Sequence, residues 1–175
     1  MMNSTSFKMS KAMKIAVAVQ FAILCLVLFN PLLVRATGTV VYLETEKMDP
    51  RSLFRGDFVI LGYQLAQGIL SEDMAQEAQE FGKPVYVTIT TTRPAEFVAV
   101  SFDKPDLTAE QACIVGRSRG VWRSRGNAVD FPQIAQFFVP EGEGRELEQA
   151  RGDDLLAKVA TSGGCNAVLL GLEMR

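Results

Sequence analysis

The chain has 175 residues, which suits one membrane segment and one domain of roughly 135 to 140 residues, large enough to bury a core. Its formal net charge of −2 leaves no global basic field to hold nucleic acid. It contains no histidine, which removes the commonest metal ligand and the commonest neutral-pH general base. The three cysteines form no CxxC pair, so a zinc site of the usual kind is excluded. No metal, cofactor or catalytic residue is assigned.

Residues 1–14 carry Lys8, Lys11 and Lys14 and no acid. Ile15 to Val34 then runs twenty residues without a charge, closed by Arg35. As a helix this run is about 30 Å long, the thickness of a bilayer core. The reading is a basic cytoplasmic tail (1–14), a transmembrane anchor (15–35) and an exported domain (39–175). The lysines place the N-terminus in the cytoplasm and the domain in the periplasm or outside the cell. Two alternatives compete. Val34-Arg35-Ala36 loosely fits a signal-peptide cleavage site, but the apolar run is long for one and an arginine is unfavourable there. Leu24-Cys25 fits a lipoprotein less well still, because the leucine is bulky and the cysteine lies deep in the run. Ala18, Ala22 and Cys25 share one side of the helix, where small residues allow another helix to approach. Gln20 lies roughly opposite, and Pro31 is expected to tilt or end the helix.

Beyond the anchor, Thr39 to Glu46 alternates as a first strand. Asp49-Pro50 opens a turn, and Arg55-Gly56-Asp57 marks a second, tight one. Phe58 to Leu61 reads as a short apolar strand, with the segment continuing to about Ala66. Ser71 to Glu80 has a serine cap and acids in its first turn, the pattern of a short surface helix. Pro84 to Thr92 is dense in β-branched residues and is the clearest strand. Glu96 to Phe102 returns from it as an antiparallel hairpin, and another strand begins at Cys113.

Gly116 to Gly126 holds four arginines and the lone tryptophan. In an extended chain Arg117 and Arg119 share one face, as do Arg123 and Arg125. These are candidate contacts for a lipid headgroup, a phosphorylated ligand or an acidic surface. The plainer reading is a solvated hairpin whose arginines pair with acids between Glu141 and Glu148. Phe131 and Gln136 to Pro140 return aromatic bulk to the core. Arg145 to Ala150 reads as a second short helix. Asp154 to Ala160 and Asn166 to Leu172 close the domain as strands around a turn at 161–165. The leucines and alanines of 154–160 could instead extend the preceding helix. Cys113 and Cys165 are the candidate disulfide of an oxidising compartment, although sequence cannot show that they meet.

Gly56-Asp57-Phe58-Val59-Ile60-Leu61-Gly62-Tyr63 resembles the signature that names the GDYXXLXY protein family, with Phe58 where the signature has its first Tyr. Arg55 fits the approach to that signature. Phe137 to Glu148 is similar to the family's aromatic-Val-Pro-Glu-Gly-Glu-Gly stretch, which marks Glu141, Glu143 and Arg145 as motif residues. The resemblance spans most of the chain, and it implies a membrane-anchored protein without an established reaction.

The expected architecture is mainly β, α+β at the margin. It comprises one transmembrane helix and a mostly antiparallel sheet or partly open small barrel of seven or eight strands, with two short helices. The expected role is a non-enzymatic accessory or structural subunit of a membrane protein complex, with the bilayer and membrane proteins as partners. The alternative is a module binding a small ligand or lipid. A third reading is a hydrolase similar to membrane signal peptidases, suggested by Met48-Asp49-Pro50 and Gly56-Asp57. It is weakened because Lys47 stands at the nucleophile position and Ser52 has no evident base.

Overall fold

The structure is a computed structural model that describes residues 10–46, 58–66, 69–70, 74, 82–119, 129–138 and 155–175. Its first element is helix α1 (Lys11–Thr37), apolar and long enough to cross a membrane by length and composition. Ser10 caps it by accepting a hydrogen bond from the Met13 amide at 3.2 Å. Pro31 lies inside the helix, so of the two expected effects, tilting or ending it, it does not end it. A proline removes one backbone donor and fixes a φ that is already helical. The following turn survives, and the Thr37 hydroxyl donates to the Leu33 carbonyl at 2.9 Å.

Nine strands follow among the described residues: β1 (Thr39–Glu44), β2 (Phe58–Ile60), β3 (Pro84–Thr90), β4 (Phe97–Ser101), β5 (Gln111–Ser118), β6 (Val129–Asp130), β7 (Gln136–Phe138), β8 (Leu155–Thr161) and β9 (Ala167–Met174). They form three antiparallel sheets, ordered β1-β8-β9, β2-β7 and β4-β3-β5-β6, with one sheet curled as half a barrel. The hairpin β3–β4 and the closing hairpin β8–β9 both pair antiparallel. The two short helices expected at 71–80 and 145–150 fall outside the described residues, apart from Met74, which is helical. Among the described residues the helical content beside α1 is Met74 and one 3₁₀ turn, Gln64–Ala66. The 3₁₀ turn corrects the strand expected to run to Ala66. The chain folds back after Tyr63, and the Ala66 amide donates to the Tyr63 carbonyl at 2.9 Å.

Alternation in the strands builds the core. Val41 and Leu43 of β1, Val85, Val87 and Ile89 of β3, Ala112 and Ile114 of β5, and Ala157 and Val159 of β8 all point into one cluster. Each set is spaced by two residues, so each occupies one face of its strand. Backbone bonds lace the sheets together. The Ala95 amide donates to the Tyr42 carbonyl, the Glu46 amide to Gly62 and the Leu61 amide to Ala135, each at 2.8 Å.

Leu61 and Tyr63 lie in this core. The Tyr63 hydroxyl donates to the Ile134 carbonyl at 2.6 Å, and its ring meets Phe131 edge-on at 6.1 Å. Thr45 pairs with Tyr63 as an isolated bridge, and its hydroxyl donates to the Leu155 carbonyl at 2.9 Å. Tyr63 therefore joins the end of β1, the segment after β2 and the turn before β7.

Burial pushes the Tyr63 phenol well above its ordinary value. The protonated phenol is the form the fold favours. Its contribution is complete below the ordinary pKa near 10 and is lost as pH rises toward the folded-state value. Tyr63→Phe is expected to cost about 1–2 kcal/mol, because the Ile134 carbonyl loses its donor. The variant is also expected to flatten the fall in stability above pH 10. Denaturant unfolding as a function of pH measures both effects.

Candidate functional site

The joint between α1 and the head has no linker. Gly38 alone separates α1 from β1. Its amide donates to the Val34 carbonyl at 2.8 Å. A Cβ at Gly38 would lie 2.5 Å from the Val34 carbonyl oxygen and 2.9 Å from that of Thr161. Glycine is needed there because backbone approaches backbone, not because of its φ of −69°. Val34 is only 2% exposed, whereas most of the apolar side chains before it on α1 are bare. The last turn of the helix is thus part of the head, docked beside β8 and β9.

Strand β5 reaches the same place. Its residues Ala112, Ile114, Gly116 and Ser118 are buried on one face. Cys113, Val115 and Arg117 project from the other. Gly116 is packed so closely that a Cβ would overlap the Val129 side chain. Cys113 is bonded to Cys165, with Cα atoms 4.8 Å apart and both residues fully buried. Cys165 takes φ 61° in the turn between β8 and β9, where its amide donates to the Ser162 carbonyl at 2.8 Å. The Val115 amide donates to the Cys165 carbonyl at 2.8 Å, and the Thr161 hydroxyl donates to the Cys113 carbonyl. Disulfide and hydrogen bonds together hold the β8–β9 turn across the outer face of β5.

Past this clamp the outer face of β5 is uncovered. A groove of about 450 Å³ opens there, walled by Asn30, Pro31 and Val34 of α1 on one side. Val115, Gly116 and Arg117 also line it, with Gln133 and Asn166 at its rim. Gln133 donates to the Val115 carbonyl at 2.5 Å. Arg117 donates to the Gly82 carbonyl at 3.3 Å and makes no ion pair among the described residues. Its register partner across the strands, Asp130, instead accepts from Arg119 at 2.6 Å. That bond raises the Arg119 guanidinium above its usual range.

A second polar cluster covers the outside of β1-β8-β9. Arg93 stacks over the Tyr42 ring at 4.2 Å and pairs with Glu173 at 3.1 Å. Lys158 pairs with the same carboxylate at 2.9 Å. The sequence pattern gave no sign of this group, because it requires the register Tyr42↔Lys158 and the β3–β4 turn.

The sequence-derived site residues divide accordingly. Tyr63 is a core residue, and Arg117 and Arg119 are exposed but have different surroundings. Ala18, Ala22 and Cys25 lie on the bare length of α1. Arg55, Gly56, Asp57, Arg123, Arg125, Glu141, Glu143 and Arg145 lie outside the described residues, as do Lys47 and Ser52. Val34, Gly38, Gln133 and Asn166 were missed. An amide near the C-terminal end of the apolar run (Asn30) was the one available hint of a polar groove.

Replacing Cys113 and Cys165 with alanine opens a loop with a sequence separation of 52. Chain-entropy reasoning puts the loss near 4 kcal/mol. Chemical unfolding of the oxidised protein and of the double variant tests this. The Lys158 ammonium, with help from Arg93, holds the Glu173 carboxyl below its usual range. The pair contributes stability above the ordinary carboxyl pKa near 4.5 and loses it as pH falls through the lowered value. Lys158→Met is expected to move the Glu173 titration upward, as read by carboxyl NMR.

No curated protein and no solved structure matches the chain. The family model for GDYXXLXY protein matches residues 20–172, from inside α1 to β9. The signature's Leu61 and Tyr63 lie in the core, and the chain belongs to the GDYXXLXY protein family.

Proposed function

We propose that the chain is a non-enzymatic accessory or structural subunit, anchored in a membrane by α1 and holding its β-rich head outside the cytoplasm. The observation that carries this reading is the linker-free joint: Val34 buried in the head, and Gly38 packed against Val34 and Thr161. A tethered enzyme gains from a flexible leash, whereas a structural subunit gains from a fixed bearing. The bare apolar length of α1 is matched to lipid or to a neighbouring helix. The lysines before it favour a cytoplasmic N-terminus. The Cys113–Cys165 bond fits an oxidising compartment.

Purification of the intact chain from native membranes in mild detergent tests the proposal. A membrane protein is expected to co-purify in fixed proportion. Inserting a flexible Gly/Ser segment between Thr37 and Gly38 is expected to weaken that association while α1 stays in the membrane. A lone monomer, or a C-terminal tag cleaved only from the cytosolic side, overturns the reading.

A further inference from the structure

We propose that the groove between α1 and β5 seats the phosphodiester of a membrane phospholipid, with Arg117 as its cationic contact. The inference rests on α1 crossing a membrane, as proposed above.

Three observations carry it. First, the groove's position fixes what it meets. One wall is Asn30, Pro31 and Val34, the outer end of the apolar helix. If the preceding residues lie in hydrocarbon, this wall stands where acyl chains give way to headgroups. Second, the lining has the layered polarity of a phospholipid. Pro31, Val34 and Val115 offer apolar surface to the first carbons of a chain, while Asn30, Asn166 and Arg117 offer hydrogen-bond donors beside them.

Third, Arg117 is held in place and makes no ion pair among the described residues. One guanidinium N–H donates to the Gly82 carbonyl, which orients the group and leaves further donors. Asp130, the acid nearest in strand register, is engaged by Arg119. A planar cation with donors to spare is well suited to phosphate oxygens. The walls are also preorganised. The disulfide and the bonds from Val115 and Thr161 fix the β8–β9 turn that carries Asn166. The Gly38 joint fixes the helix wall. A site whose walls are already in place spends little binding energy on ordering them.

The test uses the intact chain, reconstituted in vesicles of phosphatidylcholine and phosphatidylglycerol and released in mild detergent for native mass spectrometry. A retained phospholipid is expected on the wild type. Retention is expected to fall about tenfold in Arg117→Ala, from loss of a charge-assisted contact. It should fall similarly in Val115→Trp, which fills the groove. Arg93→Ala, which breaks the pair with Glu173 on the outside of β1-β8-β9 and away from the groove, should retain lipid like the wild type. Formation of the Cys113–Cys165 bond on non-reducing gels checks folding. Should Val115→Trp not fold, the exposed Arg117→Ala variant alone decides.

Equal retention in wild type and Arg117→Ala overturns the proposal. So does displacement of the lipid by millimolar inorganic phosphate, which would make free phosphate the ligand. Alkaline extraction of the same membranes separates the two failures. A chain that resists extraction but shows no Arg117-dependent lipid loses only the groove. A chain that is extracted loses the anchored reading as well.

Discussion

The structure depends on one close approach, that of the Gly38 backbone to the carbonyls of Val34 and Thr161. A side chain at this position would push the final turn of α1 away from β8. Val34 would then leave the head, and the helix and β1 would no longer run on without a break. Burial of one valine contributes only about 1.5–3 kcal/mol. Its consequence is larger than that figure, because it determines whether rod and head move as one body. The groove, whose walls come from both, exists only while that contact holds.

Other close ties repeat the logic on a smaller scale. Thr45, Tyr63 and Thr161 each send a hydroxyl to a carbonyl on another segment. All three are nearly or fully buried, where an unmade bond would cost more than a made one contributes. Thr161 ties β8 to β5 of another sheet, Tyr63 ties the segment after β2 to the turn before β7, and Thr45 extends the β1–β8 pairing by one residue. The short pair β2–β7 has little ladder of its own, and the Tyr63 bond ties the residues that flank it.

Much of the sheet could be read from the sequence, and the reasons are local. Pro84–Thr90 and Thr39–Glu44 alternate because one face of each is core and the other is not. β8 was ambiguous with a helix because Leu155, Leu156, Ala157, Val159 and Ala160 are all buried. A strand covered on both faces has no alternation to display. The joint was illegible for a related reason. Val34 is one more apolar residue at the end of an apolar run, and only tertiary packing distinguishes it from Leu33. Cys113 and Cys165 could be named as candidates, but a separation of 52 carries no geometric information. Arg117 and Arg119 looked equivalent in sequence. The register that gives Asp130 to Arg119 is what sets them apart.

The missing hinge has a geometric consequence for how such a chain can vary. Helix and head share a single azimuth, so lengthening α1 by one residue swings the head by about 100° about the helix axis and lifts it about 1.5 Å. A change that is negligible in hydrophobic length would turn the groove toward a different quarter of its surroundings. Insertions that restore the heading come in near-whole turns of three or four residues. The phase of the rod, more than its length, is what the head is sensitive to.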